Sequence, residues 1–462
     1  MNHKKTYQFE KISLGKIDRD FDLLHLNRLD PKRYPYLLES VAGGTANSRF
    51  SILFSFPQNI HILDSKGKID GKKEDFLEVV NQLWMKEREE SDERDDLPFT
   101  GGWFVYLGYE LVGQIESGLN LPTSKNQLPV AFISRVASAM IIDHLKNDLI
   151  LLSENSCKEN INLMKQDLSV ACKKFAGKNN TTKSLLRGQL IEDDESIYLR
   201  SVKKCIDYIF QGDVFQVNLS KSWHGKLISN IDHSEVYSQL RRCNPSPFAG
   251  FMCFGNKSVI SSSPERLIES RRGVLQTRPI AGTRPRGASG ITDIALSDEL
   301  IAHPKERAEH IMLLDLERND MSRVCEAGTV KVSEMMIVES YTHVHHIVSN
   351  VIGVLKKNIY PGDIIRAVFP GGTITGCPKV RCMEILAELE KVGRGAYTGS
   401  MGYIGRNGDL DLNILIRTLV CEGDQVTLRS GGGIVADSIP KKELEETRNK
   451  ARGLIRSLDG SF

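Results

Sequence analysis

The chain has 462 residues, which is too long for one small hydrophobic core and indicates two domains or one large composite domain. Hydrophobic residues make up 40% of it and charged residues 26%, as in soluble globular proteins. The formal net charge of +2 gives no strong overall field, which argues against nucleic acid or an anionic membrane as a partner.

The sequence carries no signal for export, for membrane insertion or for a cysteine-rich site. No apolar run follows the basic first residues, and the most apolar stretch, 128–145, is interrupted by Arg135 and Asp143. We therefore expect neither a secretory signal nor a membrane-spanning helix. The nine cysteines form no CxxC pair, which indicates reduced thiols in a cytoplasmic protein rather than disulfides or a zinc site.

Short apolar runs alternate with polar turns in the first part of the chain. Strands are predicted at 48–56, 99–113 and 149–155. The dense charge run at 86–97 is typical of a solvated helix end or surface loop. The polar stretch 176–189 has no apolar periodicity and is interpreted as a linker between two parts of the chain.

Longer periodic elements follow the linker. Helical spacing of apolar residues predicts helices at 193–213, 305–325 and 441–458. The segment "VFQVNLSKSWHG" alternates like a strand, and 399–438 is predicted to be a meander of strands with turns at 406–409 and 422–425. Helices and meandering strands in this order favour an α+β fold over alternating βαβ units.

Two acidic pairs are candidate metal ligands. Glu306 and Glu309 are three residues apart on one predicted helix, and Glu443 and Glu446 are three apart on another. This spacing puts both carboxylates of a pair on one helix face. If the two faces meet, a hard divalent ion, most simply Mg²⁺, would relieve the repulsion between the carboxylates. From spacing alone, solvated pairs next to neighbouring lysines and arginines are the more common arrangement.

Glycine clusters and isolated polar residues add a second signal. "FPGGTITGCPK" and "SGGGIVADS" could expose backbone N–H groups to an anion, although each alone is as compatible with a turn, and neither has the phosphate-loop spacing. Gln216, Arg417 and Lys450 stand in or beside apolar stretches. A buried arginine needs an anionic partner, so a carboxylate-bearing substrate bridged by Mg²⁺ is a reasonable hypothesis. From the residues alone, the chain is an α+β protein and plausibly a Mg²⁺-dependent enzyme acting on a small anion.

The motifs as a set resemble those of a known family. "GDVFQVNLS", "SSSPERL", "RPIAGTRPRG", "PKERAEHIMLLDLERND", "HVHHIVS", "GGTITGCPKVR", "LDLNILIRT", "GGGIVADS" and "EETRNKA" occur in this order over roughly 190–455. This resembles the chorismate-utilising enzymes: anthranilate synthases, aminodeoxychorismate synthases, isochorismate synthases and salicylate synthases. The resemblance implies antiparallel sheets in a β-sandwich core with helices outside. It also implies an anthranilate synthase component I-like domain over 1–180 and a chorismate-binding catalytic domain over 190–458.

The resemblance also implies roles for individual residues. Glu309 and Glu446 match direct Mg²⁺ ligands, and Glu306 and Glu443 match carboxylates that hold its waters. Glu265 matches a general acid that protonates a leaving hydroxyl. The other implied active-site positions are Gln216, Ala281, Thr283 and His346. The implied substrate-binding positions are Thr373, Tyr397, Arg417, Gly431, Gly432, Gly433 and Lys450. A tryptophan pocket is implied at Ser40, Asn244, Pro245 and Phe248.

Two positions bear on the nucleophile. Water-adding relatives have a lysine general base at the position of Gln216, and a glutamine cannot take up a proton in that way. Gln216 therefore favours ammonia, which would come from a separate glutamine amidotransferase subunit because this chain has no glutaminase motif. Many aminodeoxychorismate synthases have a lysine at the position of Ala281, whereas anthranilate synthases have alanine.

Two motifs indicate different branches of the family. "PIAGT" favours anthranilate synthase, but "VFPGGTITGCPKVRCMEI" resembles the aminodeoxychorismate synthases of 4-aminobenzoate and folate biosynthesis. We therefore expect aminodeoxychorismate synthase component I. Anthranilate synthase component I of tryptophan biosynthesis, and a non-catalytic homologue that binds chorismate or an amino acid, are the two alternatives.

Overall fold

A computed structural model describes residues 9–16, 21–42, 49–89, 96–175, 183–286, 290–340 and 344–461. Its strands are β1 Phe9–Lys16, β2 Tyr36–Glu39, β3 Phe50–Ser55, β4 Gln58–Leu63, β5 Gly102–Leu107, β6 Ala131–Val136, β7 Ser138–Asp143, β8 Asp148–Glu154, β9 Ile191–Glu192, β10 Gln216–Lys226, β11 Phe248–Phe254, β12 Lys257–Ser263, β13 Arg266–Arg271, β14 Val274–Thr277, β15 Ile280–Pro285, β16 Lys331–Ser340, β17 Val344–Val354, β18 Gly376–Cys377, β19 Ser400–Gly405, β20 Leu410–Asn413, β21 Thr418–Glu422 and β22 Gln425–Ile434. Its helices are α1 Leu24–Leu29, α2 Phe76–Glu87, α3 Val112–Ile115, α4 Glu159–Phe175, α5 Glu195–Phe210, α6 His233–Cys243, α7 Gly290–Ala302, α8 Pro304–Ser322, α9 Pro361–Val368, α10 Lys379–Glu390 and α11 Pro440–Asp459.

The strands form two large sheets in which neighbouring strands run antiparallel. One has the order β1-β8-β7-β3-β2-β11-β12-β21-β22-β10-β18, with β9 beside β10. The other has the order β15-β17-β14-β13-β20-β19-β5-β6-β4, with β16 beside β17. Strands from before and after the predicted linker share both sheets, so the boundary between the two predicted domains stays a prediction.

The two sheets pack face to face over an aromatic core. Tyr36 of the first sheet stacks on Phe104 of the second with ring centroids 4.2 Å apart, and Phe54 meets Phe104 edge-on at 5.5 Å. Such pairs stabilise a core beyond their buried area. The outer faces are covered by helices: α4, α6 and α11 pack on the first sheet, and α2, α8 and α9 on the second. This is the predicted α+β sandwich.

Most of the predicted elements are confirmed. The helices at 193–213, 305–325 and 441–458 correspond to α5, α8 and α11, and the meander corresponds to β19 to β22. The strand predicted at 99–113 is too long, because β5 ends at Leu107 and the chain then turns into a short helix, α3. The charge run and the linker fall partly on 90–95 and 176–182, outside the described residues.

Arg417 lies between β20 and β21, and not inside a strand as the apolar pattern around it suggested. Its φ of +52° puts it in the left-handed region, which is unusual for a residue with a side chain. In the part of the chain that the structure describes, no helix is both long enough and apolar enough to cross a membrane.

Candidate active site

Gln216 lies where strand β10 meets helix α8. Its side chain is buried, and its Nε2 donates a hydrogen bond to Glu309 Oε1 over 3.0 Å. The backbone of Gly433 in β22 packs against this amide. A Cβ added to Gly433 would clash with it, at 1.9 Å from Gln216 Nε2. A glycine is therefore required for the Gln216 side chain to reach Glu309.

Helix α11 reaches the same glycine run from the other side. A Cβ added to Gly432 would lie 3.4 Å from Lys450 Nζ, 3.6 Å from Glu446 Oε1 and 3.9 Å from Glu443 Oε2. Lys450 Nζ also pairs with Glu446 Oε1 at 2.8 Å. The predicted acidic faces of α8 and α11 therefore approach the Gly432–Gly433 backbone from two directions.

The four glutamates do not form a ready-made cluster. Among the described residues, no three His, Cys, Asp or Glu side chains are close enough together to hold a metal ion. Glu446 Oε1 pairs with Lys450, and Glu309 Oε1 accepts a hydrogen bond from Gln216. That these four carboxylates hold a metal ion therefore stays a prediction.

Glu265 is a buried acid with a strongly shifted pKa. It follows β12, and its side chain contacts the Thr373 hydroxyl and the backbone N–H of Ile280. Burial raises the pKa of Glu265 to about 8, nearby Glu317 adds to the rise, and the Thr373 and Ile280 contacts oppose it. At neutral pH the side chain is therefore a protonated carboxylic acid, which can donate a proton.

The strand pair β15–β17 brings the next group of predicted residues to this site. Ala281, 6% exposed, pairs with Ile347, and after a bulge at Gly282 the backbone of Thr283 pairs with His346. A Cβ on Gly282 would lie 2.9 Å from Glu306 Oε2. The Thr283 side chain lies outside the described part of the structure.

The imidazole of His346 is neutral in this setting. Burial lowers the pKa of His346 to about 4, and the positive charge of nearby Arg417 lowers it further, while a hydrogen bond with the Gly282 backbone opposes the shift. A neutral ring donates from one nitrogen and accepts at the other, so His346 can orient a substrate without adding charge.

Arg417 links the two sides of the site. It donates a short hydrogen bond from Nη1 to the backbone oxygen of Lys450. Burial lowers the pKa of Arg417, and the nearby Tyr397 and Glu446 oppose that shift. The hydroxyl of Tyr397 would lie 2.9 Å from a Cβ on Gly431. Arg417, Tyr397 and the glycine run therefore lie near one another, and their binding of an anion stays a prediction.

The predicted tryptophan-pocket residues separate into two groups. Ser40 and Phe248 line a cavity of about 330 Å³, in which the Ser40 hydroxyl donates to the Pro247 carbonyl and the Arg266 guanidinium lies over the Phe248 ring. Asn244 ends helix α6, where its Oδ1 would be 3.2 Å from a Cβ on Gly453. Pro245 follows Asn244 at that helix end. Only the first two residues line this cavity in the described structure.

Sequence reasoning missed two residues near the site. Glu317 is buried one helical turn past Leu313 on α8, and burial raises its pKa to about 7. Asn218 lies two residues after Gln216 on β10 and donates from Nδ2 to the Thr373 backbone oxygen over 3.3 Å. The alternation of Gln216 and Asn218 on one strand face was the available signal for Asn218.

Comparison with known proteins identifies the family. The model of the chorismate binding enzymes matches residues 35–456. The chain belongs to this family. It is 42% identical over 398 residues to an anthranilate synthase component I-like protein of Synechocystis sp., covering 84% of this chain and 80% of that protein. It is 38% identical over 445 residues to aminodeoxychorismate synthase component 1 of Bacillus subtilis, covering 93% and 92%.

A solved member of the family has the same fold. Anthranilate synthase component I from Streptococcus pneumoniae superposes with a TM-score of 0.77 at 30% identity, covering 89% of this chain and 93% of that one. The names of these relatives divide between anthranilate synthase and aminodeoxychorismate synthase. Membership of the chorismate binding enzymes is therefore secure, whereas the product formed by this chain is not fixed by similarity.

Proposed function

We propose that this chain is component I of an aminodeoxychorismate synthase. It would aminate chorismate with ammonia from a glutamine amidotransferase subunit and give 4-amino-4-deoxychorismate. Amination is supported chiefly by Gln216, whose neutral side-chain amide donates a hydrogen bond to Glu309. Activation of water would need a proton-accepting lysine at this position, and a glutamine cannot accept the proton. Ammonia brings its own lone pair and needs no such base.

Glu265 would supply the proton that the leaving group needs. The buried side chain would donate its proton to the ring hydroxyl as the carbon–oxygen bond breaks, so that water leaves. The carbon–nitrogen bond forms from the ammonia lone pair, and the resulting ammonium group then loses a proton. Arg417 and the backbone N–H groups of the glycine run would hold the substrate carboxylates.

The carbon that is aminated distinguishes two candidates. The stretch "VFPGGTITGCPKVRCMEI" and the 38% identity to the Bacillus subtilis enzyme over 93% of this chain support carbon 4. Ala281 supports the second candidate, anthranilate synthase, because a buried methyl group in place of a lysine would leave room for ammonia to add directly at carbon 2. If carbon 4 is aminated, it must be aminated without a lysine at position 281.

Mg²⁺ fits the donors available on α8 and α11. Glu309 and Glu446 would hold the ion directly, and Glu306 and Glu443 through water, since carboxylate oxygens are the ligands that Mg²⁺ prefers. Glu443 and Glu446 lie beside Gly432, Glu309 contacts Gln216 beside Gly433, and Glu306 lies beside Gly282. The bound ion would neutralise the carboxylates and attract the negatively charged substrate.

The Glu309→Gln variant tests the metal assignment. An amide oxygen at this position can still accept from Gln216 Nε2, so the contact and the fold should remain while the charge is lost. We expect Mg²⁺-dependent turnover to be lost and the melting temperature to stay within a few degrees of wild type. Full turnover at saturating Mg²⁺ would exclude Glu309 as a direct ligand.

Product analysis tests the proposed function. The purified chain is incubated with chorismate, Mg²⁺ and ammonium at mildly alkaline pH, and the products are separated by chromatography. A product that gives 4-aminobenzoate only after aminodeoxychorismate lyase is added would support carbon-4 amination. Direct release of anthranilate would support the second candidate, and absence of both would overturn both candidates. The Glu265→Gln variant is the matched negative control.

A further inference from the structure

Three buried oxygen atoms beside the site have unused acceptor capacity. Gln216 Oε1 and Asn218 Oδ1 have no hydrogen-bond partner among the described residues. The Thr373 hydroxyl is also buried; it contacts Glu265, and its oxygen keeps lone pairs that can accept. Leaving a buried polar atom without a partner costs about 1 to 3 kcal/mol, so proteins rarely do so without a functional reason. These oxygens together indicate a place for a small group that donates several hydrogen bonds.

The orientations of the two side-chain amides are fixed by their neighbours. Gln216 must direct its NH₂ group at Glu309, because a carboxylate oxygen only accepts hydrogen bonds. Asn218 must direct its NH₂ group at the Thr373 backbone oxygen for the same reason. Each amide therefore turns its carbonyl oxygen away from these partners, and neither orientation can be reversed without losing a hydrogen bond.

The acceptors are linked to the predicted general acid through Thr373. Gln216 and Asn218 are two residues apart on β10, so their side chains leave the same face of the strand roughly 6.6 Å apart along the chain. Thr373 connects them to Glu265, which contacts its hydroxyl. On the outer side, Gln216 pairs with Cys377 of β18.

Behind that strand pair is a large cavity. Its volume is about 800 Å³, and Phe215 and Cys377 form part of its wall together with side chains of α8 to α10. Phe215, directly before Gln216, is 67% exposed there. The strand pair that carries Gln216 therefore also forms part of the wall of this cavity.

We propose that Asn218, with Gln216 and Thr373, forms the subsite that holds the ammonia nucleophile; this inference rests on the proposed amination of chorismate. Ammonia has three N–H donors and one lone pair, so acceptors can hold its N–H groups while the lone pair stays free to attack carbon. Water has only two O–H donors and satisfies such a subsite less completely. Asn218 would therefore contribute to the choice of ammonia over water.

The Asn218→Leu variant tests the subsite. Leucine has a similar size but cannot accept a hydrogen bond, so loss of one acceptor should raise KM for free ammonia roughly three- to tenfold. KM for chorismate should stay within about twofold. The share of hydroxylated product, in which water replaces ammonia, should increase. If the leucine variant does not fold, Asn218→Ala removes the same acceptor with less steric disturbance.

Thr375→Val is the matched control. The Thr375 hydroxyl is also buried in this segment, but it is fully used in a 2.9 Å hydrogen bond to the Gly371 carbonyl. Its loss should lower stability by about 1 kcal/mol without changing KM for ammonia. An unchanged KM for ammonia in the folded Asn218 variants, or an equal rise in KM for chorismate, would overturn the ammonia subsite. The proposed function would still be supported if wild type aminates chorismate. If wild type does not aminate chorismate, both the subsite and the proposed function are overturned.

Discussion

Glu265 and Glu390 are both buried glutamates, yet at neutral pH Glu265 is an uncharged acid and Glu390 is a negatively charged carboxylate. Glu390, whose side chain is 3% exposed, binds two guanidinium groups: Arg394 Nη2 lies 2.8 Å and Arg429 Nη2 2.9 Å from its carboxylate oxygens. Burial alone would raise the pKa of Glu390, but Arg394 and Arg429 outweigh it and hold the pKa below its ordinary value. Glu265 has neutral groups and another acid around it, and its pKa rises to about 8.

The difference between the two residues separates a structural carboxylate from a reactive one. Glu390 also accepts from the backbone N–H and the hydroxyl of Ser220, so its charge is fully compensated and holds α10 against β10 and β22. A compensated charge has little tendency to exchange a proton. Glu265 retains its proton at neutral pH in a site where a leaving hydroxyl needs one, which is typical of a general acid.

The largest expected effect comes from Glu265→Gln. Glutamine resembles the protonated acid in size and can still accept from the Ile280 N–H, so folding should be unaffected, but it has no acidic proton to transfer. We expect turnover of chorismate to fall by about 10² to 10⁴-fold. Steady-state rates measured beside a thermal melt check this result. A decrease of less than tenfold in a normally folded variant would exclude Glu265 as the general acid.

In contrast, the Glu390→Gln variant should lower the free energy of unfolding. It leaves Arg394 and Arg429 buried without their counter-charge, and breaking a buried ion pair in this way costs about 3 to 5 kcal/mol. Urea unfolding measures the loss. Glu388→Gln is the control, because Glu388 forms an exposed pair with Lys204 at 3.5 Å and should lose no more than about 1 kcal/mol. Equal losses in the two variants would show that Glu390 contributes no special stability.

Local pattern was enough to predict most of the fold. Apolar residues at helical spacing identified α5, α8 and α11 to within a few residues, because each helix covers one sheet face with a regular stripe. The position of Arg417 could not be predicted in this way. Its neighbours are apolar and suggest a strand, whereas its backbone is left-handed and its side chain donates to the Lys450 carbonyl of α11, a contact between separate elements that local pattern does not show.

Only part of the candidate site could be predicted from the sequence, because some of its properties depend on contacts between distant segments. Family motifs predicted which residues belong to the candidate site, but the charge state of Glu265 depends on burial by segments far away in sequence. The ion-pair cluster of Glu390 joins α10 to Arg429 of β22, so spacing along the chain gives no sign of it. Asn218 was missed because only the packed structure shows that its carbonyl oxygen has no described partner.

The smallest expected effect is on the pH dependence of stability. The pKa of Glu265 is raised on folding and that of Glu390 is lowered, so the two residues affect stability in opposite directions of pH. Glu265 titrates near 4.5 when unfolded and near 8 when folded, so between these pH values the folded state binds the extra proton. Its stabilising contribution is present below pH 4.5 and is lost as pH rises toward 8. Glu390, with a lowered pKa, changes stability only below its ordinary value of 4.5.

Between pH 6 and 8 wild type should therefore lose stability more steeply than Glu265→Gln. The difference in slope should be at most about 1.4 kcal/mol for each pH unit, the value for one proton. Glu317, whose pKa is raised to about 7, contributes a slope in both proteins, and only its interaction with Glu265 is lost in the variant. Urea unfolding of the free protein at three pH values measures the two slopes. Parallel slopes would mean that Glu265 is already ionised at pH 6, and a carboxylate in that state could not protonate the leaving hydroxyl.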